Sequence, residues 1–358
     1  MNLLSRAALL SFGFAFTLAI RLLLLANCQG NYDTASYEEV VRILERGGDV
    51  YRETERYNYS PAWSLLLRLA AGLANEAGWT LTFVVGVFLT LFDLLTAVIL
   101  YRIGSQRLDR DRGLLVALLF FANPVSVLVS SWDVQFDGVA IAFLVLAVFG
   151  AVRGVPSPSG AIAGLSLSLL AKHLAWFHPL LVAASGALGT RPFLAAFVPY
   201  LLFAMSFLPW ASSWREIADH VFRHSGLRSL YGLDFLLLVP GVPDWLPLLL
   251  FVVAVGAAVY FLRRVELTRA SLMLFLVILV FIPGISTQYF VWPIALGSLF
   301  PGAGYVLYTL VATASFVQIS GTSGPDSGFG PGWYGPWWAS IVWLLLEIRR
   351  ERNRRRAR

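Results

Sequence analysis

Residues 27–61 read NCQGNYDTASYEEVVRILERGGDVYRETERYNYSP and hold seven carboxylates: Asp33, Glu38, Glu39, Glu45, Asp49, Glu53 and Glu55. The whole chain has 21 acidic residues, is 58% hydrophobic and only 13% charged, so this crowding is a local departure. Asp33, flanked by Asn31 and Tyr32 with Tyr37 one helical turn on, is the candidate general base, because desolvation beside a bilayer raises a carboxyl pKa. Alone it would read as a solvated loop acid; its context argues otherwise. In Trp132-Asp133-Val134-Gln135-Phe136-Asp137, the residues Asp133, Gln135 and Asp137 are of the types that bind sugar hydroxyls, although Asp137 before Gly138 serves equally well as a helix cap. Lys172 is the only lysine among 27 basic residues and interrupts an apolar run, with His173 beside it. A cation there is costly; it either snorkels to the interface or faces a phosphate as a compact point charge. His220, Arg223, His224 and Arg228 make a basic edge suited to phosphate or lipid headgroups. His220 and His224 have i, i+4 spacing but no third ligand, which disfavours zinc. No phosphate-cradling glycine loop, nucleophile elbow, Cys/His cluster or internal repeat accompanies these groups.

The elements that must position them are membrane helices. A mean hydropathy of +0.71 excludes an ordinary soluble domain, and continuous rather than alternating apolar runs favour helices over a barrel. One cysteine, Cys28, excludes an intrachain disulfide. The net charge of +6 comes from arginines in short loops and a tail, which read as orientation signals rather than a nucleic-acid surface. Residues 7–26 form a retained first span. In the acidic loop, Ser36 with Glu39 makes a capping box, Tyr37, Val40, Val41 and Leu44 an apolar stripe, and Gly47-Gly48 a stop. This places Asp33 just before a surface helix. Residues 61–73 are too short to span and form an interfacial or re-entrant helix. Spans follow near 81–101, 113–130 and 138–152, then two helices within 161–188 that meet at Lys172, His173 and Pro179, then 192–210. A hydrophilic segment to 245 holds a second surface helix, capped by Ser213 with Glu216. Later spans are near 246–262, 271–283, 290–300, 305–319 and 337–345.

The expected fold is therefore all-α and polytopic, with about 12 transmembrane helices. It forms one transmembrane catalytic domain over 1–348, with a first outer loop (27–78), an outer basic loop (211–245), an outer Gly/Pro loop (321–336) and a basic tail (349–358). Arginine bias places both termini in the cytosol and brings the polar connections to the outer face.

Several short motifs resemble the GT-C superfamily of polyprenyl-phosphate-sugar-dependent glycosyltransferases, most closely the PIG-M type, the catalytic subunit of GPI mannosyltransferase I. Asn31-Tyr32-Asp33 stands at the family's DxD position, and Tyr57-Asn58-Tyr59-Ser60-Pro61 resembles its YRYTP. Asp93-Leu94-Leu95-Thr96-Ala97 with Tyr101-Arg102, Asn123-Pro124 with Ser130-Ser131, and His173 with Pro179 follow in family order. Phe222-Arg223-His224 through Arg228 resembles a basic outer loop, and Ser286-Thr287-Gln288-Tyr289-Phe290-Val291-Trp292 resembles TSQYFLW.

The resemblance implies an inverting hexosyltransferase, with mannose favoured. It would use a polyprenyl-phosphate-linked donor and a lipid- or glycan-linked acceptor at the outer or lumenal face. Asp33 would be the base; Asn31, Tyr59, Asp133, Gln135, Asp137, Gln288 and Tyr289 would bind substrate; Lys172, His173, Arg223, His224 and Arg228 would meet the donor phosphate. Asn31 replaces the first DxD acid, which leaves one carboxylate and disfavours a bridging divalent metal; no other cofactor is expected. Membrane lipids, and no nucleic acid, complete the expected partners. A prokaryotic cytoplasmic membrane is favoured over the endoplasmic reticulum. The alternatives are a multi-pass transporter or lipid-linked-sugar flippase, and a non-catalytic membrane scaffold.

Overall fold

The computed structural model describes residues 3–28, 30–151, 157–189, 192–222, 232–321 and 334–357, and these residues contain helices and turns but no strand. The first long helix, α1 (Leu3–Ala26), leads into α2 (Tyr32–Glu45) and a single turn, α3 (Val50–Glu53). Next come α4 (Pro61–Ala77), α5 (Leu81–Arg107), α6 (Arg110–Phe121) and α7 (Pro124–Ser131). Then α8 (Asp137–Ala151) and α9 (Pro158–Ala171) pack side by side, followed by α10 (His178–Ala184), α11 (Pro192–Ser206) and α12 (Trp214–Ile217). The chain ends with α13 (Leu246–Leu262), α14 (Leu267–Phe281), α15 (Trp292–Gly297), α16 (Ala303–Gly321) and α17 (Tyr334–Arg356).

Among the described residues, Ala8–Ala26 and Leu81–Arg107 are each long and apolar enough to cross a membrane. Two bent pairs add to them: α6 with α7, bent by 48° at Asn123-Pro124, and Pro192–Ser206 with Leu208–Phe222, bent by 61°. Proline causes the first bend, since it supplies no amide hydrogen and restricts the residue before it. The other apolar helices run from 10 to 17 residues. Large apolar side chains such as Phe12, Leu23, Leu201, Phe261 and Leu310 stand exposed on the outside of the bundle. An all-helical membrane-protein architecture is thus the fold.

Three local expectations change. Asn31, not Ser36, caps α2, so Asp33 sits in the helix's first turn rather than before it. There the helix dipole favours a carboxylate. Ser36 turns its hydroxyl back to the Tyr32 carbonyl at 2.8 Å. Ser213 makes no capping bond and instead donates to Asp49. The break at Lys172 is as expected: α9 stops there in extended backbone, a short 3-10 turn covers His173–Ala175, and α10 starts with Pro179 in its first turn.

Close helix approach at glycine fixes the centre. A Cβ on Gly164 would lie 2.8 Å from the Ala147 amide nitrogen, so glycine lets α9 lie directly on α8. A Cβ on Gly138 would lie 2.8 Å from Asp93 Oδ1, which sets α8 against α5 beside Asp137.

Candidate functional site

Five separate stretches meet around the start of α8. The first is the N-terminus of α2. Asn31 Oδ1 accepts the Thr34 amide at 2.9 Å while Thr34 Oγ1 accepts the Asn31 amide at 2.7 Å, a reciprocal cap that fixes Asn31. Its other end, Nδ2, donates to both the carbonyl and Oδ1 of Asp133, each at 2.8 Å. An aspartate here would have no donor and would face a second carboxylate. The asparagine therefore has a physical reason to be an amide.

The second stretch is the turn after α7. The Gln135 amide bonds back to the Val129 carbonyl at 2.9 Å, a helix ending that normally places glycine in the left-handed region. Val134 holds that conformation at φ 53° and is fully buried. A β-branched residue there is strained by about 1–3 kcal/mol. The turn keeps Asp133 half-buried and Gln135 fully buried, each directed at the start of α2. Gln135 Nε2 donates to Asp33 Oδ2.

The third stretch is the YNYSP segment, which works as a staple. Tyr57 donates to the Ser60 carbonyl, Tyr57 Oη accepts the Ser64 amide at 2.9 Å, and Ser60 donates to the Leu170 carbonyl next to the α9 break. Tyr51 donates to the Tyr59 carbonyl at 2.9 Å. Held this way, the Tyr59 ring meets Phe136 edge-on at 4.6 Å, and Phe136 stacks on Trp63 at 3.9 Å.

Lys172 completes the cluster from the end of α9. Its Nζ donates to Asp137 Oδ2 at 2.5 Å and lies 4.6 Å from the Phe136 ring centre and 5.5 Å from that of Tyr59. Trp292 Nε1 donates to Asp137 Oδ1 at 2.6 Å, and Tyr289 stacks on Trp292 at 4.2 Å. From the same stretch Thr287 donates to Asp133 Oδ2 at 3.2 Å. Neither Thr287 nor Trp292 was a candidate from the sequence. Their signal was their place in the late STQYFVW motif.

Burial pushes the Asp33 carboxyl up, and this outweighs the opposing Gln135 hydrogen bond and nearby Lys172. Asp133 is pushed up to about 6, again first by burial and then by the charge of Asp33, against the hydrogen bonds from Thr287 and Asn31. Gln135 Oε1 is buried with no hydrogen-bond partner among the described residues. Beside Asn31 lies an open groove of about 450 Å³, lined by Cys28, Asn31, Thr34, Glu38, Thr80 and Thr82 among others.

The structure thus brings together Asn31, Asp33, Tyr59, Asp133, Gln135, Asp137, Lys172 and Tyr289. Gln288 is buried but accepts from its neighbour Ser286, and His173 is exposed. Arg223, His224 and Arg228 lie outside the described residues, as does most of the Gly/Pro loop. Lys172 is a paired, buried ammonium rather than a cation awaiting a phosphate. Among the described residues no group of three or more His, Cys, Asp and Glu side chains could hold a metal ion.

Comparison with known families bears on the chemistry. A family model described as "PIG-U: GPI transamidase subunit PIG-U" matches residues 8–232, well over half of the chain. No curated protein matches. The family match overturns the reading as a PIG-M-type mannosyltransferase and, with it, the assignments of hexosyl transfer, of a polyprenyl-phosphate sugar donor and of Asp33 as the base of that transfer. It lends nothing to a transporter or flippase. The geometry agrees with this correction at two points. Asn31, at the position of the first DxD acid, is spent on capping α2 and holding Asp133, and Lys172 is spent on Asp137.

Proposed function

This chain belongs to the PIG-U family, and from that premise we propose that it is a membrane subunit of a GPI transamidase that holds the glycolipid headgroup in the Asp33–Gln135–Asp133 cluster. Its partners would be the other subunits of that assembly and the membrane. The observation that carries the site is Gln135 Oε1: a buried acceptor without a partner, beside the half-buried carboxylates of Asp33 and Asp133. Such a group is costly to leave unmade and suits a hydroxyl or ammonium donor. A GPI headgroup presents sugar hydroxyls, and transamidation requires an amine. Tyr59 and Tyr289 supply aromatic faces at the rim, and the groove beside Asn31 gives room for further sugar units. The cluster binds and orients, while bond-making falls to another subunit. Across the bilayer, we infer about twelve crossings with both termini on one side from the apolar runs and the arginine bias of the sequence.

The test is complementation in cells lacking their own PIG-U-type subunit, with surface display of a GPI-anchored reporter and co-purification of the transamidase as readouts. The wild-type chain should restore both. Asp33→Asn combined with Gln135→Leu should keep co-purification and lower display by tenfold or more, about the worth of one to two buried hydrogen bonds to a charged or polar ligand. Absence of co-purification would reject the subunit assignment. Unchanged display would reject the headgroup site.

A further inference from the structure

Helix α17 carries two kinds of arginine. On its buried side, Glu347 is fully enclosed and accepts Arg269 through one oxygen and Arg350 through the other, each at 2.7 Å. One turn on, Glu351 accepts Arg355 at 3.1 Å. Arg349, Arg352 and Arg356 have no carboxylate partner among the described residues, and all three are exposed. They recur at i, i+3, i+7 and so share one stripe of the helix. Leu345 and Ile348 extend the same stripe toward the apolar half of α17, and both are exposed. With Asn353 these five residues line one open groove of about 470 Å³.

The helix therefore sorts its charge. Carboxylates pair with Arg350 and Arg355 on the buried side and the flank, Arg354 stands exposed on another face, and three cations remain in a row on the face that continues an aliphatic surface. Like charges at i, i+3 and i, i+4 repel and oppose the helix unless an anion lies between them. Guanidinium forks suit phosphate oxygens in particular. The aliphatic continuation selects the source of that phosphate: Leu345 and Ile348 match acyl chains, which an acidic protein segment lacks.

We propose that this groove binds one acidic phospholipid, with its phosphate among Arg349, Arg352 and Arg356 and its acyl chains along Leu345 and Ile348. The site is independent of the headgroup cluster near Asp33, and it anchors the end of α17 at the membrane surface on which the arginine-rich connections lie.

The experiment uses the full chain in detergent. Native mass spectrometry counts bound phosphatidylglycerol against phosphatidylcholine of matched acyl length. The wild type should retain one phosphatidylglycerol in preference to phosphatidylcholine, and added salt should weaken that binding. Replacing Arg349, Arg352 and Arg356 together by Gln should weaken phosphatidylglycerol binding on the order of 100-fold, as expected for three interfacial cations. A control with Arg110, Arg263 and Arg264 replaced by Gln loses the same charge and should bind as the wild type does. Unfolding temperature in lipid-free detergent should match the wild type in both variants; if the triple variant fails to fold, the single variants should each weaken binding about fivefold. Equal retention of the two lipids overturns the proposal. So does wild-type binding by the groove variants, an equal loss in the control, or capture of a soluble polyglutamate peptide as tight as that of the lipid.

Discussion

Of the three cations buried against a carboxylate among the described residues, Arg269 pairs with Glu347 near the end of α17, and the other two, Arg21 against Asp93 and Lys172 against Asp137, differ in their surroundings. Arg21 is fully enclosed. Its Nη1 donates to Asp93 at 2.7 Å, and its Nη2 donates at 2.8 Å to both the Phe121 carbonyl and the Ser126 hydroxyl. Ser130 donates to the same Asp93 oxygen at 2.7 Å. These bonds tie α1, α5, α6 and α7 into one unit, and nothing around them opens outward. Lys172 shares Asp137 with Trp292, lies against the rings of Phe136 and Tyr59, and stands within electrostatic reach of half-buried Asp33. One pair is a closed staple, and the other is the inner wall of an open polar cluster. A charge inside an apolar chain is therefore not itself a sign of function. Each region leaves one buried acceptor without a partner among the described residues, Asp93 Oδ1 in the first and Gln135 Oε1 in the second. The mark of a site is that such an acceptor stands next to half-exposed groups, and of the two only Gln135 does.

Substitution separates the two. Arg21→Met should have the largest effect, lowering stability by about 3–5 kcal/mol, because it strands a fully buried carboxylate. Thermal unfolding in detergent reads this, and pairing it with Asp93→Leu should recover most of the loss. Lys172→Met should cost less, about 2 kcal/mol, the worth of one charged hydrogen bond, since Trp292 still donates to Asp137. Unlike the Arg21 variant with its compensating partner, it should also reduce reporter display. A Lys172 variant as unstable as Arg21→Met, with normal display in its folded fraction, would make both pairs staples.

Much of this contrast was legible in the sequence, in a particular way. The polar breaks between apolar runs singled out Asp33, Asp133, Gln135, Asp137 and Lys172, which the structure brings into one cluster, because backbone hydrogen bonding leaves membrane chains few architectures. The helix break at Lys172 followed from a cation and a proline in an apolar run. Arg21 was missed although it carried the same signal, a lone charge in the first span, and Asp93 stood out only as the first residue of the Asp93–Ala97 motif, without its partner. Pairing is a three-dimensional fact that spacing does not contain: Ser126 and Ser130 look like ordinary small residues of a membrane helix. The chemistry was misread for a related reason. Short motifs such as Tyr57–Pro61 and Ser286–Trp292 are parts of the scaffold here, closing turns and seating rings, so they report how polar loops are held and not which reaction takes place beside them. Residue 31 carried the warning, since an amide in place of a DxD acid already removes half of the motif.

Asn31→Asp sharpens that point. It should remove the donor to Asp133 and set two carboxylates at hydrogen-bond distance, costing about 1–2 kcal/mol near neutral pH. The loss should shrink on acidification as the pair takes up a proton; a loss independent of pH would place the cost in the α2 cap alone.

The smallest expected effect is the titration of Asp133 in the unaltered protein. Its carboxyl sits at about 6 in the fold against an ordinary 3.8, so between those values the folded state holds a proton that the unfolded chain lacks. Its contribution to stability must then rise as pH falls through about 6 and level off below the ordinary value. Solvent reaches this half-buried group, so the gain should be about 1 kcal/mol. Asp133→Asn should lack that increment while sharing every other pH effect. Headgroup binding should move the opposite way: the ionised form accepts from Asn31 and Thr287 at once, and protonation removes an acceptor from the cluster. Opposite slopes for unfolding and for glycolipid capture, both abolished in Asp133→Asn, would assign Asp133 to an open binding site. Parallel slopes would return it to the class of closed staples that Arg21 and Asp93 represent.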